Sequence, residues 1–156
     1  MGRSLVSSRI SRLTDHLGFW LRQVSNHVSH GFARKLADKD VTVAEWGLMR
    51  TLYGREPSAP SRLANEMGLT RGAITKLADR LIAKALVIRE ASKNDGRAQT
   101  LKLTAKGAKF VPELAALADK NEIECFAHLS DDDRRTLQRI LGETVVRHGL
   151  TKMPLD

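Results

Sequence analysis

Arg71, Thr75, Lys76 and Arg80 follow one another at helical spacing, and Lys93, Asp95 and Arg97 come shortly after. A guanidinium offers a planar fork of donors and an ammonium a mobile point charge, so such a set suits binding to anionic oxygens and base edges. It does not suit bond-breaking chemistry. No Ser/His/Asp grouping, Gly-rich phosphate loop or carboxylate pair stands out at motif spacing, so no catalytic residues are assigned and an enzyme is not expected.

The charge balance points the same way. The 156-residue chain carries a net +8, with 28% charged and 42% hydrophobic residues. Residues 61–110 hold eleven Lys/Arg against four acids, a net +7. Residues 1–60 come to +4 and residues 111–156 to −3. The excess is concentrated where those side chains lie, which predicts a polyanionic partner. The single cysteine, Cys125, excludes an internal disulfide framework and fits a reducing compartment. No apolar run approaches the ~18–20 residues needed to span a bilayer. The start "MGRSLVSSRI" lacks the apolar core of a secretory signal, so a cytoplasmic location is expected, with no membrane partner.

The elements that must hold these residues are mostly helices. Residues 1–12 read as a flexible polar arm. Leu13, Leu17, Trp20, Leu21, Val24, Val28, Phe32 and Leu36 step by three and four, predicting one long amphipathic helix over about 13–38. Thr42 with Glu45 forms a capping box for a second helix to about 53, and Val41 with Trp46 a hydrophobic staple around it. "REPSAP" is a connector to a third helix beginning at Pro60 and running to about Met67. Thr70 caps a fourth, about 71–84. Asp95-Gly96 is a tight-turn signal, so a β-hairpin is expected over about 87–103. Thr104 caps a fifth helix to about Leu129, which Pro112 kinks or marks in its first turns, and Ser130 with "DDD" caps a sixth that Gly149 ends. The expected fold class is mainly α with a small β-hairpin.

"SRLANEMGLTRGAITKLADRLI" (61–82) meets the demands of a helix-turn-helix. Ala64 is small at the crossing, Gly68 can take the left-handed turn conformation, and Leu63, Met67, Leu69, Ile74 and Leu77 form the apolar wedge. The second helix of such a motif enters the major groove. Arg71 is then suited to guanine, Thr75 to a hydroxyl or methyl contact, and Lys76 and Arg80 to phosphates. Ser61, Arg62 and Thr70 complete the expected DNA-facing set. The hairpin reads as a wing, with Lys93 and Arg97 at a tip that reaches an adjacent minor groove. Asp95 is expected to set the turn and hold Arg97 or Arg80 by a charge-assisted hydrogen bond.

"DGRAQTLKLTAKG" (95–107) resembles the wing signature of MarR-type regulators, D-x-R followed by L-x-L-T-x-x-G, and "LTRGAITKLADRLIAKALV" (69–87) resembles their recognition helix and its exit. The resemblance spans about residues 13–148. It departs at Ala85, where the family commonly has Gly. It implies a homodimer whose dimerisation region is 13–40 plus 104–149, with a winged domain over 41–103 and a tail over 150–156. It implies binding to near-palindromic double-stranded DNA, repressor rather than activator action, and release by a small molecule. Trp20, His27, Trp46 and Arg50 are candidate effector residues: Arg50 would pair with a carboxylate and the indoles would sandwich an aromatic acid. Trp20 and Trp46 also lie on apolar stripes, where core packing is the competing role. His27 and His30 stand three apart but have no further ligand at metal-binding spacing, so no metal or other cofactor is assigned. Cys125 is read as a packed interface thiol. A winged-helix adaptor that binds protein and not DNA is the alternative function.

Overall fold

Thr42, Thr70, Thr104 and Ser130 each open a helix in the computed structural model, which describes residues 10–155. Each hydroxyl accepts the amide N–H three residues on, at 3.0–3.1 Å from Glu45, Ala73, Gly107 and Asp133. Such caps satisfy amides that have no partner inside the helix, typically stabilising by ~1 kcal/mol each. The order is α1 Leu17–Ala37, α2 Val43–Leu52, α3 Pro60–Met67, α4 Arg71–Ala83, β1 Val87–Ala91, β2 Gln99–Leu103, α5 Ala105–Phe126 and α6 Asp131–Arg147. The fold is therefore mainly helical with one two-stranded antiparallel sheet, as its sequence predicts.

Two helix boundaries differ from expectation. Leu13–Asp15 forms a separate 3-10 turn, closed by the Arg12 N–H donating to the Asp15 carboxylate at 2.8 Å. His16 is then extended, so α1 begins only at Leu17. The fifth helix ends at Phe126, three residues early, with Pro112 inside it. Most of the expected N-terminal arm, residues 1–9, lies outside the described residues.

The core gathers where α2, α3, α4 and the sheet meet the end of α1 and the start of α5. Leu36, Leu48, Met49, Leu63, Met67, Ile74, Leu81, Val87, Leu101, Val111 and Leu114 are fully buried there. The strands pair from Val87–Leu103 to Ala91–Gln99. The "REPSAP" connector does more than connect: Ser58 exchanges both backbone hydrogen bonds with Leu101, at 3.0 and 2.9 Å, adding a bridge to the far edge of β2.

Further out, α1 crosses α5 at Gly31, where an added Cβ would lie 2.6 Å from the Asn121 side-chain oxygen. Asn121 is buried, and its amide donates to the Val28 carbonyl at 3.0 Å. By contrast α6 buries no residue, and Leu137, Ile140, Leu141 and Val145 line it in the open. Leu17, Trp20, Leu21 and Val24 of α1 are exposed likewise. After α6 the tail folds back: Leu155 and Met153 approach Gly47 of α2, and the Lys152 stem lies over Gly68. No helix is long and apolar enough to cross a membrane.

Candidate nucleic-acid interface

Gly68, between α3 and α4, has φ +67°, the left-handed value that an L side chain would make costly. The turn it allows lets Thr70 cap α4. On that helix Ile74, Leu77, Ala78 and Leu81 are buried, while Arg71, Thr75, Lys76 and Arg80 are exposed together. Ser61, Arg62 and Thr70 are exposed at the starts of the two helices. The Thr75 hydroxyl donates to the Arg71 carbonyl at 3.0 Å, which occupies its proton and leaves its lone pairs and methyl for a ligand.

Ion pairing divides the basic residues into two kinds. Arg62 meets Glu66 at 2.9 Å, Lys84 meets Glu45 at 2.9 Å, Arg89 meets Asp79 at 2.5 Å and Lys102 meets Glu90 at 2.6 Å. Glu66 also takes both guanidinium nitrogens of Arg55, and these hydrogen bonds, from Arg55 first and then Arg62, lower its pKa to about 2. Among the described residues, Arg71, Lys76, Arg80, Lys93 and Arg97 have no acidic partner. The unpaired cations on α4 and the wing are thus the ones predicted to face DNA. Arg62 differs from them, being tied to Glu66 through its Nε.

The wing tip is larger than a tight hairpin turn. Residues 92–98 separate the strands, and Asp95-Gly96 begins a tight turn inside that longer loop. Asp95 does organise the loop, its carboxylate accepting the Arg97 backbone N–H at 3.0 Å and its carbonyl the Ala98 N–H at 3.0 Å. It pairs with neither the Arg97 nor the Arg80 guanidinium. The carboxylate that joins recognition helix to wing is Asp79, through Arg89, because those two face each other across the α4–β1 corner.

That corner is fixed by α5. The carbonyls of Lys84, Ala85 and Leu86 accept, in turn, from the Lys106 ammonium at 3.1 Å, the Thr104 hydroxyl at 2.7 Å and the Thr104 backbone N–H at 3.0 Å. Ala85 stands at φ +59°, which explains the family's usual glycine there. Glu45, almost fully buried, was legible as a capping residue. Its second role, holding Lys84, was not, since nothing in the sequence brings residues 45 and 84 together.

The candidate effector residues are spread out. Trp20 is half exposed, its indole N–H donating to the Thr14 carbonyl at 3.0 Å. His27 is exposed on α1. Trp46 packs edge-on against Phe32 with ring centres 6.1 Å apart, and the exposed Arg50 guanidinium lies 6.0 Å from the Tyr53 ring. None of the four lines a cavity of about 490 Å³ that lies between Lys39, Lys84, Lys106 and Lys109.

A helix-turn-helix with a two-stranded wing and unpaired cations on its outer face defines a winged-helix DNA-binding protein. The MarR family model matches residues 39–98 of the chain, and its relatives include transcriptional regulators. It is 27% identical over 141 residues to the HTH-type transcriptional regulator MgrA of Staphylococcus aureus, covering 90% of this chain and 95% of that one. Wild-type MarR from E. coli, in its apo form, superposes with a TM-score of 0.73 at 25% identity, over 83% of this chain and 96% of its own. A MarR variant from E. coli complexed with operator DNA has the same fold, with a TM-score of 0.74 at 23% identity, over 87% and 99%.

Proposed function

We propose that the protein is a homodimeric repressor that binds near-palindromic double-stranded DNA and is released by a small molecule. The observation that carries this reading is the set of unpaired cations, Arg71, Lys76, Arg80, Lys93 and Arg97, exposed on α4 and the wing while their basic neighbours are bound to acids. A MarR variant from E. coli with the same fold is complexed with operator DNA, and the second helix of a helix-turn-helix, here α4, docks in the major groove. Arg71 reads a base, Thr75 and Thr70 lie beside it, Lys76, Arg80, Ser61 and Arg62 contact phosphate, and Lys93 and Arg97 enter the minor groove. The exposed apolar rows of α1 and α6 support a dimer built from 13–40 and 104–149, leaving 41–103 as the reading domain. Two such domains would address half-sites about one helical turn apart.

Fluorescence anisotropy on DNA from the protein's own upstream region, against shuffled DNA and across a salt series, tests this. Preference of ~10³-fold or more is expected, with a log–log salt slope of about −5 to −9, because a dimer placing ~6–10 cations on phosphates releases that many counterions. Arg97→Ala should weaken binding by ~1–3 kcal/mol and leave the dimer intact. Absence of binding at low salt would remove the DNA reading and leave a winged-helix adaptor.

A further inference from the structure

The tail brings a cation to the helix-turn-helix from a part of the chain that is otherwise acidic, residues 111–156 carrying a net −3. Its course is set where α6 ends. Gly149 stands at φ +59°, its N–H donating to the Val146 carbonyl at 3.2 Å while the Leu150 N–H donates to the Val145 carbonyl at 3.0 Å. This paired closure is a Schellman turn, which ends the helix and fixes the direction of the residues that follow. They return to α2 and the turn between α3 and α4.

The seat is shaped to receive them. Gly47 lies inside α2, where glycine weakens a helix. A Cβ there would lie 2.6 Å from a Leu155 methyl, 3.4 Å from the Met153 sulfur and 3.5 Å from the Met67 methyl, so its absence is what admits the tail. Leu155 is half-buried and packs against the core. Gly68 leaves room in the same way. The Lys152 Cβ, Cγ and Cδ stand 3.2, 2.8 and 3.3 Å from where a Cβ of residue 68 would be.

With its stem laid over Gly68, Lys152 is exposed and has no acidic partner among the described residues. Glu66, the acid nearest that turn in sequence, is already held by Arg55 and Arg62. The Cα of Gly68 is at most about 11 Å from that of Arg71, three residues on. The first helix of a helix-turn-helix crosses the DNA backbone and the second enters the groove, so an ammonium at the turn between them stands beside the backbone. We infer that the C-terminal tail is part of the DNA-binding surface: Lys152 contacts a phosphate flanking the bases that α4 reads, and Leu155, seated on Gly47, is the positioning residue that holds it there. The inference rests on the regulator reading.

The test is anisotropy of the intact parent, K152Q, G47A and the double variant on DNA from the protein's own upstream region and on shuffled DNA, across a salt series. In a dimer two phosphates lose their lysine, so K152Q should bind about 10-fold more weakly at low salt and flatten the log–log slope by about 1.8. The loss should be equal on both DNAs, because a phosphate contact carries no sequence information. G47A keeps the charge and displaces only the end of the Leu155 side chain, so it should reproduce the loss, and the double variant should lose no more than either. A loss confined to one DNA overturns the phosphate contact, and a loss that G47A does not share overturns the seat. A parent that binds DNA with a K152Q slope equal to its own removes the tail contact and keeps the regulator. A parent that binds no DNA removes both.

Discussion

Replacing Gly107 by alanine should strike the joint between wing and α5. An ideal Cβ there would lie 2.1 Å from the Leu86 carbonyl oxygen, 3.1 Å from its carbon and 3.2 Å from a Leu103 methyl. Favourable heavy-atom contact needs roughly 3.5 Å, so the Leu86 carbonyl must retreat by about 1 Å or more. That carbonyl accepts the Thr104 N–H at 3.0 Å, a bond the retreat would break. Loss of the bond costs about 1 kcal/mol, and forcing a methyl into packed backbone a further ~1–3 kcal/mol. Alanine's better helix propensity returns up to ~1 kcal/mol. The net expectation is destabilisation by about 1–3 kcal/mol, or a Tm lower by roughly 2–12 °C for a chain of this size. Urea unfolding at fixed protein concentration measures it, with Gly72→Ala as the control. There the nearest atom to a new Cβ is the Thr70 hydroxyl oxygen at 3.9 Å, so no loss is expected. If the two variants unfolded within ~0.5 kcal/mol of each other, the close approach of α5 to the α4–β1 corner would be refuted.

Ala85→Gly should stabilise by ~0.5–1 kcal/mol, because the left-handed strain it relieves exceeds the chain entropy that glycine adds to the unfolded state; an unchanged or lower urea midpoint would contradict this. Glu66 has its pKa lowered from 4.5 to about 2, so its contribution is fully present above about 4.5 and is lost as pH falls toward 2. The Tm difference between the parent and Glu66→Gln should accordingly be flat above pH 4.5 and shrink below it, and a gap that widened in acid would reverse the sign of the argument. If α1 and α6 form the dimer, tenfold dilution should lower Tm by about 2–4 °C. Leu141→Glu should then sediment as a monomer.

The helices were legible because their signals are local. Thr42, Thr70, Thr104 and Ser130 each stand one residue before a helix and cap it, and Gly68 marks the turn between α3 and α4. The strands were legible from alternation, Leu101 facing the core between Thr100 and Lys102. What escaped was long-range. Ser58 reads as a connector residue until β2 lies beside it, and Glu45 reads as a cap until the far end of α4 brings Lys84. Asp95 lies next to Arg97 in sequence, yet the loop geometry spends its carboxylate on backbone, while Asp79 and Arg89, ten apart, make the pair. Trp20, His27, Trp46 and Arg50 stand out by residue type, and none of them lines the cavity. The cavity's lysines stand at positions 39, 84, 106 and 109, and only the tertiary fold unites them.

The tail's course over α2 and the helix-turn-helix matters to anyone attaching something to this protein. With Leu155 seated against Gly47 and Lys152 over Gly68, a fluorophore or affinity tag joined beyond Leu155 would hang beside the DNA-reading motif and not at the distal end of the helical region. A bulky fusion there would lever Leu155 away from Gly47 or crowd the approach of DNA. A small dye at the same point would report the approach of DNA to that motif.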